Sequence, residues 1–365
     1  MRDRVSLWLQ RGAALGAAAA AGALLDSVGV PLAWILGPLI ATAALSIFGR
    51  PVLATVRMRR AGQLVIGLGL GLNITAALLA QIAVWIPVMI VIAVTAACVT
   101  GFFSVFYAHF GRLDRNTAYF AMMPGGLSEM ANIGAAAGAR SEPIAVAQTV
   151  RLGVVVLVLP PTIIALGIHG DFATIVTAAE VPYPALLPLF LVGLAGVYGM
   201  RRLGAANPWM LGALVAAAAL SSVDLIGGHL PQWLFLCGQY LLGMAVGARF
   251  RRDIVVRLPR LFLLGVVFTL LVTAALFGVA ALLSAATGLD LATAALASSA
   301  GGIAEMAVTA QVLQLNAALI LGFHVTRAIM VNAFSRTILD LQVRLKFLPA
   351  VERLEVALFG PRRED

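Results

Sequence analysis

Four stretches of this 365-residue chain recur in the same order and at almost one spacing. AWILGPL (Ala33 to Leu39) returns as PWMLGAL (Pro208 to Leu214), and GQLVIGLGLG (Gly62 to Gly71) returns as GQYLLGMAVG (Gly238 to Gly247). LDRNTAYFAMMPGGLSEM (Leu113 to Met130) matches LDLATAALASSAGGIAEM (Leu289 to Met306), and Arg151 falls opposite Arg327, all at one offset to within a single position. One Gly-Gly or Gly-Gln coincidence would carry little weight, but four in register with almost no insertion mean a duplication. The chain is thus divided into repeat 1 (1–176), repeat 2 (177–345) and a charged cytoplasmic tail (346–365).

Composition sets the solvent. Hydrophobic residues are 61% and charged ones 11% of the chain, against about 25% charged in soluble domains. A spanning helix needs roughly 20 apolar residues. Each module offers five long apolar segments: about 9–28, 31–48, 62–80, 82–107 and 143–167, then about 183–200, 208–226, 233–248, 259–284 and 317–339. The expected fold is all-α and integral to the membrane, with about ten transmembrane helices. The N-terminal run has the look of a cleaved signal peptide, but the repeat requires a partner for it, so it reads as the first span. Cys98 and Cys237, far apart in apolar surroundings, supply neither a disulfide framework nor a metal motif.

The net charge of +9 does not point to nucleic acid, because the arginines cluster in short connections beside apolar runs, the positive-inside pattern. Arg50, Arg57, Arg59 and Arg60, then Arg112 and Arg115, Arg201 and Arg202, and the basic run at 249–260 mark cytoplasmic connections. Asp171 and Glu180, Asp224, and the stretch around Asp290 mark the opposite side. The Trp34 segment is followed by a basic connection and its mate, the Trp209 segment, by an acidic one. The two modules therefore run in opposite directions, with both termini cytoplasmic, as in inverted-repeat secondary transporters.

This topology closes only if 116–138 and 291–314 enter and leave on one side. Asn116 to Met123 makes a helix of about 12 Å, half of a ~30 Å hydrocarbon core. Pro124, Gly125 and Gly126 break it, as Gly301 and Gly302 break the second copy. Broken backbone at membrane depth survives only inside protein or against a watery cavity, so each stretch reads as a re-entrant hairpin whose returning half-helix aims amide donors at an anion. The competing reading is that the glycine pairs only allow tight packing.

Glu129 and Glu305 follow the breaks, and Arg151 and Arg327 stand at one common distance beyond them, in the final span of each module. Two readings stand: Glu/Arg bridges that hold hairpin to span, or coupling carboxylates beside arginines that bind an anionic substrate. Gln63 and Gln239 suit polar packing or solute contact. Asp114 and Asp290 suit N-caps, and Trp34 and Trp209 suit interfacial anchoring. Of the histidines, His109, His169 and His229 fall in connections. His324 lies inside a span, opposite Gln148, either as a polar packing residue or as a proton relay.

The PGGLSEM and AGGIAEM hairpins, the repeated Gly-Gln helix and the repeated WxLG segment closely resemble the AbrB family of duplicated bacterial membrane proteins, over about residues 10–340. The family's labels conflict: members are described both as regulators of gene expression and as ammonia monooxygenases. A copper monooxygenase needs clustered imidazoles, which this sequence lacks, and direct DNA binding needs a soluble basic module, which the mixed-charge tail is not. By architecture alone, five-plus-five inverted repeats look like ion-coupled organic anion carriers. The expectation is a bacterial inner-membrane secondary transporter for a small anionic solute, ion- or proton-coupled, with its site at the repeat interface. The alternative is a membrane-embedded sensor that affects gene expression indirectly. No enzymatic activity, metal or cofactor is expected. The partners are the lipid bilayer and the solute, without direct nucleic-acid contact, and a homo-oligomer is compatible with the sequence.

Overall fold

Segments surrounded by lipid must satisfy their backbone amides internally, which here means helices. The structure, a computed structural model, describes residues 2–50, 52, 54–74, 76–167, 179–205, 207–223 and 225–360. His169, Asp171 and Asp224, expected in connections, lie outside the described residues.

The first half runs α1 (Arg2–Ser27), α2 (Ala33–Ile47), α3 (Val56–Gly71), α4 (Ala76–Val84), α5 (Ile86–Gly111), α6 (Arg115–Met122), α7 (Leu127–Ala136) and α8 (Ser141–Ala165). The second gives α9 (Tyr183–Arg202), α10 (Pro208–Ser222), α11 (Gln232–Gly247), α12 (Arg252–Arg257), α13 (Pro259–Thr287), α14 (Leu291–Ser298), α15 (Ile303–Val312) and α16 (Ala317–Arg344), with α17 (Phe347–Phe359) beyond. The same order of long and short helices recurs, and so do the left-handed turns between them. Positive φ occurs at Gly29 and Gly204, Leu32 and Asn207, Arg112 and Gly288, and Gly138 and Gln314, pairs that the repeat spacing superimposes.

The last pair closes α7 and α15 alike. The amide beyond each left-handed residue returns to a carbonyl in the preceding turn, Ala139 N to Gly134 O and Leu315 N to Ala310 O, both at 2.8 Å. Gly138 adopts this conformation freely, whereas exposed Gln314 (φ 54°) is strained there. Gln314→Gly is expected to raise stability by about 0.5–1 kcal/mol, the relieved strain outweighing the added freedom of the unfolded chain. A thermal-unfolding comparison of the two proteins checks it.

Among the described residues five helices are long and apolar enough to cross a membrane: α5, α8, α9, α13 and α16. The segments expected to span at 31–48, 62–80, 208–226 and 233–248 instead form α2, α3, α10 and α11, of 15 or 16 residues. At 1.5 Å per residue these are about 22–24 Å long, short of a ~30 Å core. The 62–80 segment is also divided, α3 ending at Gly71 and α4 starting at Ala76. Hydropathy is continuous across that gap, so composition alone did not reveal it. Among the described residues the protein is all-helical, with five long apolar helices and several shorter ones.

The chain forms two compact units, each drawing on both halves of the sequence: Met1–Trp85, Pro160–Arg252 and Ile303–Leu321 make unit 1, and Ile86–Leu159, Asp253–Gly302 and Gly322–Asp365 make unit 2. Lipid offers no hydrophobic drive between helices, so association depends on close van der Waals contact through small residues, and unit 1 is built that way. A Cβ at Gly67 or Gly71 of α3 would strike the carbonyls of Met210 or Leu214 on α10. One at Gly243 or Gly247 of α11 would strike those of Ile35 or Leu39 on α2. These are the same contacts in two copies, each made between opposite halves. The crossing of α3 and α11 is also close, a Cβ at Gly62 falling 2.9 Å from Gly238 O.

Unit 2 packs around larger side chains. Tyr107, Tyr119, Phe120, Met123, Met130 and Ile144 are buried together with Phe268 of α13 and Leu348 and Val351 of α17.

Candidate functional site

In unit 2 the first hairpin is assembled from local rules. The Asp114 carboxylate caps α6 by accepting from Thr117 N at 2.8 Å, as Asp290 caps α14 from Thr293 N at 2.7 Å. α6 ends after eight residues and α7 restarts at Gly126. The outer ends of the pair are tied together: Asn116 Nδ2 donates to Ala137 O (3.0 Å) and Arg140 N donates to Thr117 Oγ1 (2.8 Å). The chain thus enters and leaves this hairpin at one end, with the break at the other.

A broken helix leaves carbonyls without intrahelical donors, and the two arginines supply them. Arg151 of α8 donates through Nη1 to Met123 O (2.6 Å) and through Nη2 to Gly125 O (2.7 Å). Arg327 of α16 donates through Nη1 to Ser299 O and through Nη2 to Gly301 O (2.8 Å). One turn earlier, Gln148 Nε2 donates to Phe120 O (3.0 Å) and Met123 O (2.9 Å). His324 Nε2 donates to Leu296 O at 3.0 Å. Met123 and Ser299, Gly125 and Gly301, and Phe120 and Leu296 are pairs that the repeat superimposes, so the duplication extends to individual hydrogen bonds.

These bonds use the outer edges of the guanidinium groups and leave polar atoms over. The Nε of Arg151, the Nε of Arg327, Gln148 Oε1, His324 Nδ1, Ser298 Oγ and Thr293 Oγ1 are buried without a partner among the described residues. A carbonyl only accepts, so Nε2 of His324 carries the proton and a neutral ring presents Nδ1 as a lone pair. The two guanidinium charges lie within electrostatic reach of each other. Among the described residues neither takes part in an ion pair with a carboxylate. Two buried like charges without a counter-ion are costly, a cost that the hydrogen bonds to four main-chain carbonyls offset in part. The cavity beside Arg151, lined also by Ala121, Met122, Ala147 and Thr269, holds about 10 Å³, room for about one water.

The other expected site residues divide between the units. Gly125, Gly126, Gly301 and Gly302 form the breaks in unit 2. Glu129, also in unit 2, is half-buried and turned back over its own helix start, where a Cβ at Gly126 would strike its Oε2. A carboxylate there complements the positive end of α7. Glu305 is buried in unit 1, as are Gln63 on α3 and Gln239 on α11. Among the described residues neither Glu129 nor Glu305 forms an ion pair; the arginines turn to carbonyls instead. Sequence reasoning gave Gln148 only as the counterpart of His324 and overlooked Ser298 and Ser299. The signal was present: this serine pair stands where repeat 1 has Met122 and Met123. Among the described residues no group of three or more His, Cys, Asp or Glu side chains is placed to hold a metal ion.

A family model described as "Transition state regulatory protein AbrB" matches residues 34–342. Over 345 residues the chain is 28% identical to "Uncharacterized protein YhjN" of Bacillus subtilis (strain 168), which covers 86% of this chain and 88% of the relative. Over 315 residues it is 29% identical to "Putative regulator AbrB" of Escherichia coli (strain K12), at 82% and 87% coverage.

Proposed function

The chain belongs to the AbrB family, and from that footing we propose that it is a secondary transporter of a small anionic solute, coupled to an ion or to protons. In this reading α1, α2, α3, α10 and α11 join the five long apolar helices as spans, so that two inverted five-span repeats sit in the bacterial inner membrane with both termini cytoplasmic and the solute is held between the two hairpin breaks near the midplane. One observation carries it: Arg151 and Arg327, one from each half of the sequence, are both buried in unit 2 with no carboxylate ion pair and with Nε unpartnered among the described residues. A solute carboxylate or similar anion would offset both charges and accept from both Nε groups. Glu129, Glu305 and His324 are the candidates for coupling, and no catalytic step is part of the reading.

The test begins with a thermal-shift screen of the purified protein against small organic anions, with and without sodium and at two pH values. An anion present at 100 times its dissociation constant should stabilise the protein by about 2.7 kcal/mol, and Arg327→Gln should abolish that gain. Uptake of the same anion into proteoliposomes then checks transport. Uptake that survives Glu129→Gln combined with Glu305→Gln would remove the coupling role.

A second reading takes support from the regulator-like names of the family and of the Escherichia coli relative. It is a membrane sensor that binds the anion without moving it. Anion-dependent stabilisation with no uptake would favour the sensor.

A further inference from the structure

The charges of residues 346–365 suggest a solvated tail, yet Phe347–Phe359 folds as α17 against α5 and turns its polarity inside out. The carboxylates face the protein. Glu355 is fully buried and bonded to His109 Nδ1, and Glu352 accepts two bonds from Arg115, Nε to Oε1 at 2.7 Å and Nη2 to Oε2 at 2.6 Å. Leu348 and Val351 enter the unit 2 core, and Phe359 meets Phe106 and Phe110 edge-on.

The opposite face carries Ala350, Leu354, Ala357 and Leu358, at the i, i+4, i+7, i+8 spacing of one stripe, with Leu354 46% and Leu358 61% exposed. On a helix facing water this arrangement would be reversed. The exposed charged side chains from Arg336 to Phe359 are Arg336, Arg344, Lys346 and Arg353 against Asp340, a cationic balance that complements anionic headgroups.

We infer that α17 lies in the headgroup region of the bilayer, its Leu354–Leu358 stripe against acyl chains and its basic rim against anionic phospholipid. Its inner face meanwhile holds the first residue of α6, Arg115. A helix with this distribution binds membranes through buried apolar area together with attraction to anionic lipid. Contact with the bilayer is thereby connected to the foot of the first hairpin.

The experiment uses the full chain with Cys98→Ser, Cys237→Ser and Leu358→Cys, labelled at position 358 with a small fluorophore. The protein is placed in phosphatidylcholine nanodiscs with and without phosphatidylglycerol. Quenching by lipid-borne quencher is expected to exceed quenching by aqueous iodide, and to be stronger with phosphatidylglycerol. Arg353→Glu with Lys346→Glu should roughly halve the lipid quenching in the anionic discs. Because position 358 is exposed, the label leaves packing undisturbed. Iodide quenching that dominates in both lipids would overturn the inference and leave this face to water or to a protein partner. Lipid quenching indifferent to phosphatidylglycerol would overturn its anionic part.

Discussion

Arg151→Ala and Arg327→Ala are each expected to lower stability by about 3–5 kcal/mol, a large share of the roughly 5–15 kcal/mol of an ordinary folded protein. Each arginine donates two charge-assisted hydrogen bonds to carbonyls that have no helical donor, and such bonds are worth about 1.5–3 kcal/mol apiece. The opposing term is the desolvation of a buried guanidinium, several kcal/mol. That term does not decide the truncation, because alanine leaves the part-buried Gly125 O or the buried Gly301 O without its donor. Met123 O loses less, since Gln148 Nε2 still reaches it. Lysine keeps the charge but cannot span both acceptors, so Arg→Lys should cost about half as much. Denaturant titration in a mild detergent supplies the measurement. An alanine variant as stable as the parent would mean that the arginines are retained for a ligand alone.

A comparable loss is expected in unit 1 from a much smaller change. Gly67→Ala and Gly243→Ala each add one methyl group, and in both cases it collides with a main-chain carbonyl of the neighbouring helix, Met210 or Ile35. A flexible side chain can move away, but a carbonyl within a helix cannot, so the helices must separate along their length. Overpacking costs about 1–3 kcal/mol and occasionally more, and backbone collisions belong at the upper end. The two positions are the same contact in two copies. The double variant should therefore lose close to the sum of the single effects if the crossings act independently. Thermal unfolding of the three variants decides this. Gly278, which has nothing within 4 Å of a Cβ position, provides the control: Gly278→Ala should be neutral or slightly stabilising.

How much of this was legible in the sequence depends on whether each feature is local. The hairpin breaks, the capping aspartates and the spacing from break to arginine are encoded within one short stretch running from Asp114 to Arg151, and the second copy repeats each of them. The choice of partner for Arg151 was not legible, because Glu129 and the carbonyls of Met123 and Gly125 lie equally close in sequence. Geometry decided for the carbonyls, which a broken helix leaves without donors, while Glu129 turned to its own helix start. The lengths of α2 and α10 were blurred by apolar residues continuing past the helix ends. α17 was hidden for the opposite reason: its glutamates make the segment look water-seeking, and only the positions of His109 and Arg115 reveal that those charges point inward.

The exchange of partners in unit 1 bears on what either half could do alone. α3 presses its glycines on α10, and α11 presses its own on α2, so neither half contains both sides of either of these two crossings. A polypeptide carrying one half alone would have to borrow the missing helix from a second molecule. Two identical copies of such a half, exchanging helices in this way, would interlock as a pair of subunits.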